Sequence, residues 1–500
     1  MLPLLTSTQI READAYTITH GPITSINLME RAAKAFVGWF INHFPDKKQA
    51  ISIYCGTGNN GGDGLAIARM LHEHHYKTVS VKITRFSEKS SDDFNANLKR
   101  LQKTIPSLEI KPGHEFPIEE SIIIIDAMLG SGLNKPLSGD YERLVKYLNG
   151  LEKTIVSVDV PTGFFTEGEI KPKATAIQAD LVITFQQAKI NFLLPESGPY
   201  IKCWEAVNIG IDEKFVRSLD SSYQFVEEKD IRKMIKPRHK FSNKGTYGHA
   251  LIVAGQAKTM GAALLCASGC AHAGDGLTTA CVPESGLTAL NSYLPEIMAI
   301  IRQGDDIPEI EWDKFNAMGI GPGLGDTENT LALLTDIFTN YKKPVVIDAD
   351  ALNALSGHKE LWPLIPQDSI LTPHMKEFDR LFGDHSNWWE RMQTGLKKAK
   401  EYKVCIILKN DYTLSITPGG KIYFNSTSNP AMASGGMGDV LTGIIASLLA
   451  QHYTAEEACI IGNYIHGKAG DELALPNRMN VVLPGKLAAQ LPVTMAKLRV

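Results

Sequence analysis

The sequence lacks any C-x-x-C pair, and its cysteines are odd in number and scattered: Cys55, Cys203, Cys266, Cys270, Cys281, Cys405 and Cys459. Neither a disulfide framework nor a zinc site is suggested, and a reducing compartment fits. A basic block is missing too. Fifty-one Lys+Arg stand against 55 Asp+Glu, a net charge of -4, so nothing is set to neutralise a phosphate backbone and nucleic acid is not an expected partner. No apolar run reaches the roughly 18 residues of a membrane span. The opening "MLPLLTSTQIREADAY" has no basic flank, sustained apolar stretch or small-residue cleavage site. A soluble, cytoplasmic protein with no membrane partner is expected.

What is present is alternation. Short β-rich runs ("AISIYC", "VSVKITR", "SIIIIDAMLG", "TIVSVDVPTG", "LVITF", then "HALIVAG", "MGIGPGLG", "PVVIDAD", "SILTPH", "CIILKN") interleave with helix-period segments. That order predicts parallel sheets covered by helices on both faces, twice over. At 500 residues the chain exceeds the roughly 250–300 at which one core stops growing. Two three-layer α/β domains follow. The polar stretch Asp212 to Gly245 reads as an exposed connection, with no buried strand before "GHALIVAG", and a boundary near residue 222 gives domains of 1–222 and 223–500.

The stretch "IYCGTGNNGGDGLAIARML" carries Gly56, Gly58 and Gly61 at G-x-G-x-x-G spacing. A glycine-rich turn between strand and helix offers backbone N–H groups to an anion. A dehydrogenase fingerprint would also need an acid about 20 residues on, ending the next strand, whereas "VSVKITRFSEK" offers Lys82 and Arg85 first. A P-loop would need G-K-[ST] after the glycines, which is absent. The turn does offer side-chain oxygens, on Asn59, Asn60 and Asp63, of the kind hard cations prefer. The plainer account is that Asn, Gly and Asp tolerate turn dihedrals.

Two more strand ends carry acids: Asp126 before a Gly/Ser-rich loop, and Asp159 before Pro161, Thr162 and Gly163. Either Asp alone could cap a helix. Three polar loops at strand ends can instead converge on one crevice, where open α/β sheets bind ligands.

Together "GTGNNGGDGLAIARML", "DAMLGSGLNKP" and "VDVPTG" resemble the NAD(P)H-hydrate epimerase domain of YjeF-type proteins, over roughly residues 1–220. The resemblance implies a Rossmann-like fold and a potassium ion held by Asn60, Asp126 and Thr162. It also implies a hydrated nicotinamide nucleotide contacted by Asn59, Asn60, Gly61, Gly62, Asp63, Gly130, Ser131, Gly132, Leu133, Asn134, Lys135, Pro136 and Asp159. Thr162 stands where that family usually has Ser, and keeps the hydroxyl. Asp159 is the candidate acid/base group.

In the second half, "SNPAMASGGMGDVLTGIIASLLAQ" sets Gly435, Gly436 and Gly438 before an apolar helix with Asp439 in its first turn. Uncapped N–H groups and the helix dipole favour a phosphoryl group there, and an acid beside it can take the proton of an attacking hydroxyl. An ordinary helix start is the alternative. Singly, His374 could be structural and Lys409 solvated. With "GIGPGLG", "VIDADALNAL", "LTPHMKEFDRL" and "ILKNDYT", the set resembles the ADP-dependent NAD(P)H-hydrate dehydratase domain, a relative of the ribokinase-like kinases, from about Lys244 onward.

This resemblance implies substrate contacts at Ala262, Gly325, His374 and Asp439, and nucleotide contacts at Lys409, Asn410, Asp411, Tyr412, Thr413 and Gly438. ADP is the implied co-substrate, and magnesium is expected with it. "KNDYT" replaces the family's small, glycine-containing loop. The implied chemistry is repair of NADHX and NADPHX: one half interconverts R and S epimers, and the other phosphorylates the ring hydroxyl of the S epimer and eliminates phosphate. A homo-oligomer is expected. The alternatives are a small-molecule kinase of the thiamine-precursor type with a regulatory N-terminal half, and a binding protein without turnover.

Overall fold

A computed structural model describes every residue except 22, 304–307, 326 and 500. Its contacts divide the chain into two units: Pro3–Ser221 with Asn387–Trp389, and Met1–Leu2 with Ser222–Ser386 and Glu390–Val500. Among the described residues no helix is long and apolar enough to cross a membrane.

The smaller unit is built on a parallel sheet in the order Ser107–Ile110, Val79–Thr84, Ile51–Cys55, Ile123–Ala127, Thr154–Val158, Leu181–Phe185, Trp204–Val207. The isoleucine run shows how sequence makes this sheet. Ile123 and Ile125 enter one core with Ile53 and Val156, while Ile124 enters another with Tyr54 and Ile155. Neighbouring side chains point to opposite faces, so a strand buried on both faces reads as an unbroken apolar run. Strand order reverses between Ile51–Cys55 and Ile123–Ala127, which opens a crevice beyond Cys55 and Ala127. A separate cluster of Leu5, Ala13, Ile209, Ile211 and Val216 joins helices Ser7–His20 and Glu213–Ser218 into a cap.

The larger unit's sheet runs Tyr223–Val226, Ile422–Asn425, Leu414–Ile416, Cys405–Leu408, Ile370–Leu371, Val345–Ile347, Ala317–Ile320, His249–Val253, Leu277–Pro283, Met298–Arg302. Order reverses between His249–Val253 and Ala317–Ile320, so these two strand ends define a second crevice.

Two expectations need correction. The second sheet is mixed: Leu414–Ile416 pairs antiparallel with both Cys405–Leu408 and Ile422–Asn425. The connections between these strands are too short for the dozen-residue crossover that parallel pairing requires. The stretch 212–245 is also more ordered than a connection. It holds helices Glu213–Ser218 and Glu228–Met234, and a strand, Tyr223–Val226, parallel to Ile422–Asn425. That strand is mostly half-buried, so it lacks the apolar run by which the inner strands announce themselves.

Helix Met437–Ala450 is buried over most of its length and crosses Met260–Ala273 at backbone contact. A Cβ on Gly443 would lie 1.9 Å from the Cys266 carbonyl oxygen, and one on Gly269 2.4 Å from that of Val440. This approach seats the glycine-rich start of the first helix over the second crevice. Gly443→Ala must push the helices apart, and we expect a loss of about 1–3 kcal/mol. Thermal unfolding checks this; an unchanged midpoint would contradict the close crossing.

Candidate functional site

Beyond the first crevice lies a cavity of about 500 Å³. The start of helix Asn59–Glu73 supplies Asn59, Asn60 and Asp63, and the loop after Ala127 supplies Met128 to Asn134. Asp159 comes from the end of Thr154–Val158 with φ +63°. Its Oδ1 accepts from the Phe185 amide at 3.0 Å, Thr184 Oγ1 at 3.2 Å and Lys189 Nζ at 2.8 Å. No described residue donates to its Oδ2, and Asp159 lines the cavity. The cap adds Arg11 and Asp14. Burial, then Asp159, pushes the Asp14 carboxyl up to about 6, against the pull of Lys189. Burial also holds Asp63 well above the usual carboxylate range, helped by Asp159 and Asp14.

Four of the residues implied as substrate contacts lie elsewhere. Gly61 and Gly62 are buried in packing: a Cβ on Gly61 would meet the Gly56 carbonyl oxygen at 1.9 Å, and one on Gly62 would meet Met29 Sδ at 2.7 Å. Lys135 and Pro136 are exposed, past the cavity wall. Of the residues implied as potassium ligands, Asp126 and Thr162 are in direct contact. Asp126, fully buried, accepts from Thr162 N (2.8 Å), Thr162 Oγ1 (2.6 Å), Ser157 Oγ (2.9 Å) and Met128 N (3.3 Å). Burial raises its carboxyl and these bonds oppose the rise. The Leu129 carbonyl is 3.3 Å from Thr162 Oγ1. Asn60 packs on Gly130, and its Nδ2 has no partner. The Thr162 and Ser157 hydroxyls, the Leu129 carbonyl and the Asp126 carboxylate are oxygens of the kind a hard cation takes, whereas the Thr162 and Met128 amides are not.

In the larger unit the crevice brings together the loops after Val253 and Ile320. Ala262 lies against Gly323, where a Cβ would approach its own to 3.1 Å, and the Gly325 amide donates to Asp350 Oδ2 at 2.8 Å. Asp348 is buried and fully engaged, Oδ1 with Lys409 Nζ at 2.8 Å and Oδ2 with Thr442 Oγ1 at 2.7 Å. Gly436, at φ +94°, starts helix Met437–Ala450 with no side-chain cap. A Cβ on Gly438 would come within 3.3 Å of Lys409 Nζ. Asp439 follows with no hydrogen-bond partner among the described residues; burial and then Asp348 push its carboxyl up to about 7, Asp350 adds to this, and Lys409 opposes it.

Beside this lies a cavity of about 270 Å³ lined by Lys409, Asn410, Asp411, Thr413 and Gly438, but not by Tyr412. The Asn410 amide has no partner at either end. His374 bridges to Lys409 along the strand edge and caps helix Met375–Phe382, its Nδ1 accepting from the Lys376 and Glu377 amides.

Sequence reasoning missed Arg11, Asp14, Gln187 and Lys189 in the first cavity, and Asn425, Thr427, Asn463 and His466 in the second. The polar string "NSTSNP" at a strand end was a usable signal for the second set; Asp14 sits in an ordinary-looking helix and had none. Gln187 is buried with neither amide atom partnered. His466 is held neutral, its ring pushed down to about 4 by burial.

The family profile described as NAD(P)H-hydrate dehydratase matches residues 250–493, and the YjeF-related protein N-terminus matches 25–190. The bifunctional NAD(P)H-hydrate repair enzyme Nnr of Moorella thermoacetica is 31% identical over 515 residues, 99% of this chain and 97% of its own. That of Coxiella burnetii is 32% identical over 481 residues, 95% of each. Among solved structures, the ADP/ATP-dependent NAD(P)H-hydrate dehydratase from Bacillus subtilis co-crystallized with ATP/Mg2+ is 30% identical, covering 55% of this chain and 98% of that one, with a TM-score of 0.48.

The Asp439 carboxyl has a consequence for stability. An unfolded chain releases this proton near 3.8, while the folded one keeps it to about 7, so stability falls as pH rises between those values. Asp439→Asn removes that penalty. We expect the variant to melt above the wild type at pH 8, with a gap that shrinks towards pH 4; a pH-independent gap would contradict this.

Proposed function

We propose, from the premise that the chain belongs to the family of bifunctional NAD(P)H-hydrate repair enzymes, that each of its two crevices serves one of that family's two reactions. The smaller unit interconverts the R and S epimers of NADHX and NADPHX, and the larger dehydrates the S epimer using ADP. Epimerisation makes the second reaction complete, because a dehydratase that accepts one epimer strands the other.

The observation that carries the dehydratase assignment is Asp439: a carboxyl in the first turn of an uncapped helix, with no hydrogen-bond partner among the described residues, beside Lys409. A base there takes the proton of the ring hydroxyl as its oxygen attacks the terminal phosphate of ADP, and AMP leaves. The helix N-terminus and the Lys409 ammonium meet the charge of the transferring phosphoryl group. The C6–O bond then breaks, phosphate departs, a proton leaves C5, and the ring regains its double bond. The unpartnered Asn410 amide supports adenine binding in the 270 Å³ cavity, with Asp411 and Thr413 also lining it. Magnesium would be held largely by the nucleotide's phosphates, where it would offset their charge.

For the epimerase, Asp159 lines the cavity as acid/base group, with no described residue donating to its Oδ2, while Lys189 holds Oδ1. The unpartnered Asn60 Nδ2 and the unpartnered Gln187 amide support a polar ligand. Potassium would be held by Asn60, Asp126 and Thr162, and would supply positive charge beside the substrate. The seven unpaired thiols suit the cytoplasm, and exposed Leu475, Met479, Val481 and Leu483 suit self-association into a homo-oligomer.

Asp439→Asn should lower ADP-dependent recovery of NADH by about 100-fold or more and leave epimer interconversion intact. Parallel loss of both in a folded variant would contradict two separate sites, and a stable phosphorylated product from the wild type would favour the kinase reading. Replacing potassium by a bulky organic cation should slow epimerisation, with Thr162→Val needing more potassium for half-maximal rate; a potassium-independent wild type would overturn that site.

A further inference from the structure

Inversion at C6 needs proton transfer on both faces of the ring. The C6–O bond breaks as the ring nitrogen's electron pair forms an N1=C6 iminium, and an acid protonates the departing hydroxide to water. A water then adds to the other face and gives its proton to a base. Composition is unchanged, one group loses a proton and another gains one, and the reverse reaction swaps their roles. A single carboxyl on one wall serves one face.

The cavity holds few groups able to serve the other. Lys189 is spent: its three N–H donors reach Asp159 Oδ1 at 2.8 Å, the Phe185 carbonyl at 3.1 Å and the Gln187 carbonyl at 3.4 Å. Arg11 carries a guanidinium, a group that does not shuttle protons in proteins. Asp63 sits in helix Asn59–Glu73, just past the end of strand Ile51–Cys55, close enough to Cys55 to help hold that buried thiol up, and so belongs to the sheet side of the cavity and not to the cap. Asp14 differs in origin. It hangs from the cap helix Ser7–His20, lines the cavity, is half-buried, and has no hydrogen-bond partner among the described residues.

The cap helix is firmly placed. Ser7 N and Oγ donate to Glu167 at 3.0 and 2.8 Å, the Asp212 amide donates to Thr17 Oγ1 at 3.1 Å, and Tyr16 stacks on Phe215 with centroids 4.0 Å apart. It also precedes the span 25–190 matched by the family profile. We propose that Asp14 is the second proton-transfer residue of the epimerase, serving the ring face turned to the cap while Asp159 serves the face turned to the sheet edge. The inference rests on the epimerase reading of this cavity. A carboxyl pushed up to about 6 can hold a proton and release it near neutrality, as such a role needs.

The test uses the full chain without ADP, each purified epimer of NADHX, and heavy-oxygen water. Asp14→Asn should slow inversion by about 100-fold or more, while the epimer whose hydroxyl faces Asp159 still exchanges its oxygen with solvent. Asp159→Asn should give the mirror image, exchange from the other epimer only. Retained exchange also shows that the site has folded. Wild-type inversion in Asp14→Asn with Asp159→Asn inert would overturn the assignment alone, as would equal loss of exchange from both epimers or the one-sided pattern appearing in Asp63→Asn. Wild-type inversion in Asp159→Asn would instead remove the reading beneath it.

Discussion

Both sites depend on backbone passing against backbone where a sheet reverses its strand order. A Cβ on Gly56 would sit 1.9 Å from the Met128 carbonyl oxygen, and one on Gly321 1.8 Å from that of Asp348. No side chain fits in either gap. Because these loops touch, Asn59, Asn60 and Asp63 face Met128 to Asn134 across one crevice, and Gly325 lies within a hydrogen bond of Asp350 beside the other. Glycine costs roughly 0.5–1 kcal/mol of chain entropy per position. Here that cost is set against cavities that no bulkier loop would leave open.

Each unit also places a lysine against a buried carboxylate, with different results. Lys409 and Thr442 occupy both oxygens of Asp348, which is thereby structural and leaves the neighbouring Asp439 unpaired. Lys189 and two further donors occupy one oxygen of Asp159, and no described residue donates to the second. A buried charge pair adds little net stability, but losing one partner strands the other. These pairs are best understood as fixing which carboxyl is available for chemistry.

Much of this was legible in the sequence because it is local. Inner strands buried on both faces announced themselves as apolar runs, and polar residues at their carboxyl ends marked the crevices. The glycine positions were legible, but what glycine was for was not: Gly61 and Gly62 fill packing gaps, a matter of the opposing chain. Tyr223–Val226 hid because it is mostly half-buried, and antiparallel pairing hid because it depends on loop length. Asp14 was illegible for a deeper reason. It reaches the cavity only when Leu5 and Ala13 meet Ile209, Ile211 and Val216, about two hundred residues later in the chain.

The central claim is that one chain returns both epimers of a hydrated nicotinamide nucleotide to the reduced cofactor. It is tested most directly by mixing the pure protein with an equilibrated R and S mixture of NADHX and ADP, and following reduced-nicotinamide absorbance together with AMP and phosphate. The account predicts recovery of the whole mixture, past the share present as S, with one AMP and one phosphate per NADH formed. Recovery that halts at the S share, or AMP formed without phosphate, would contradict it.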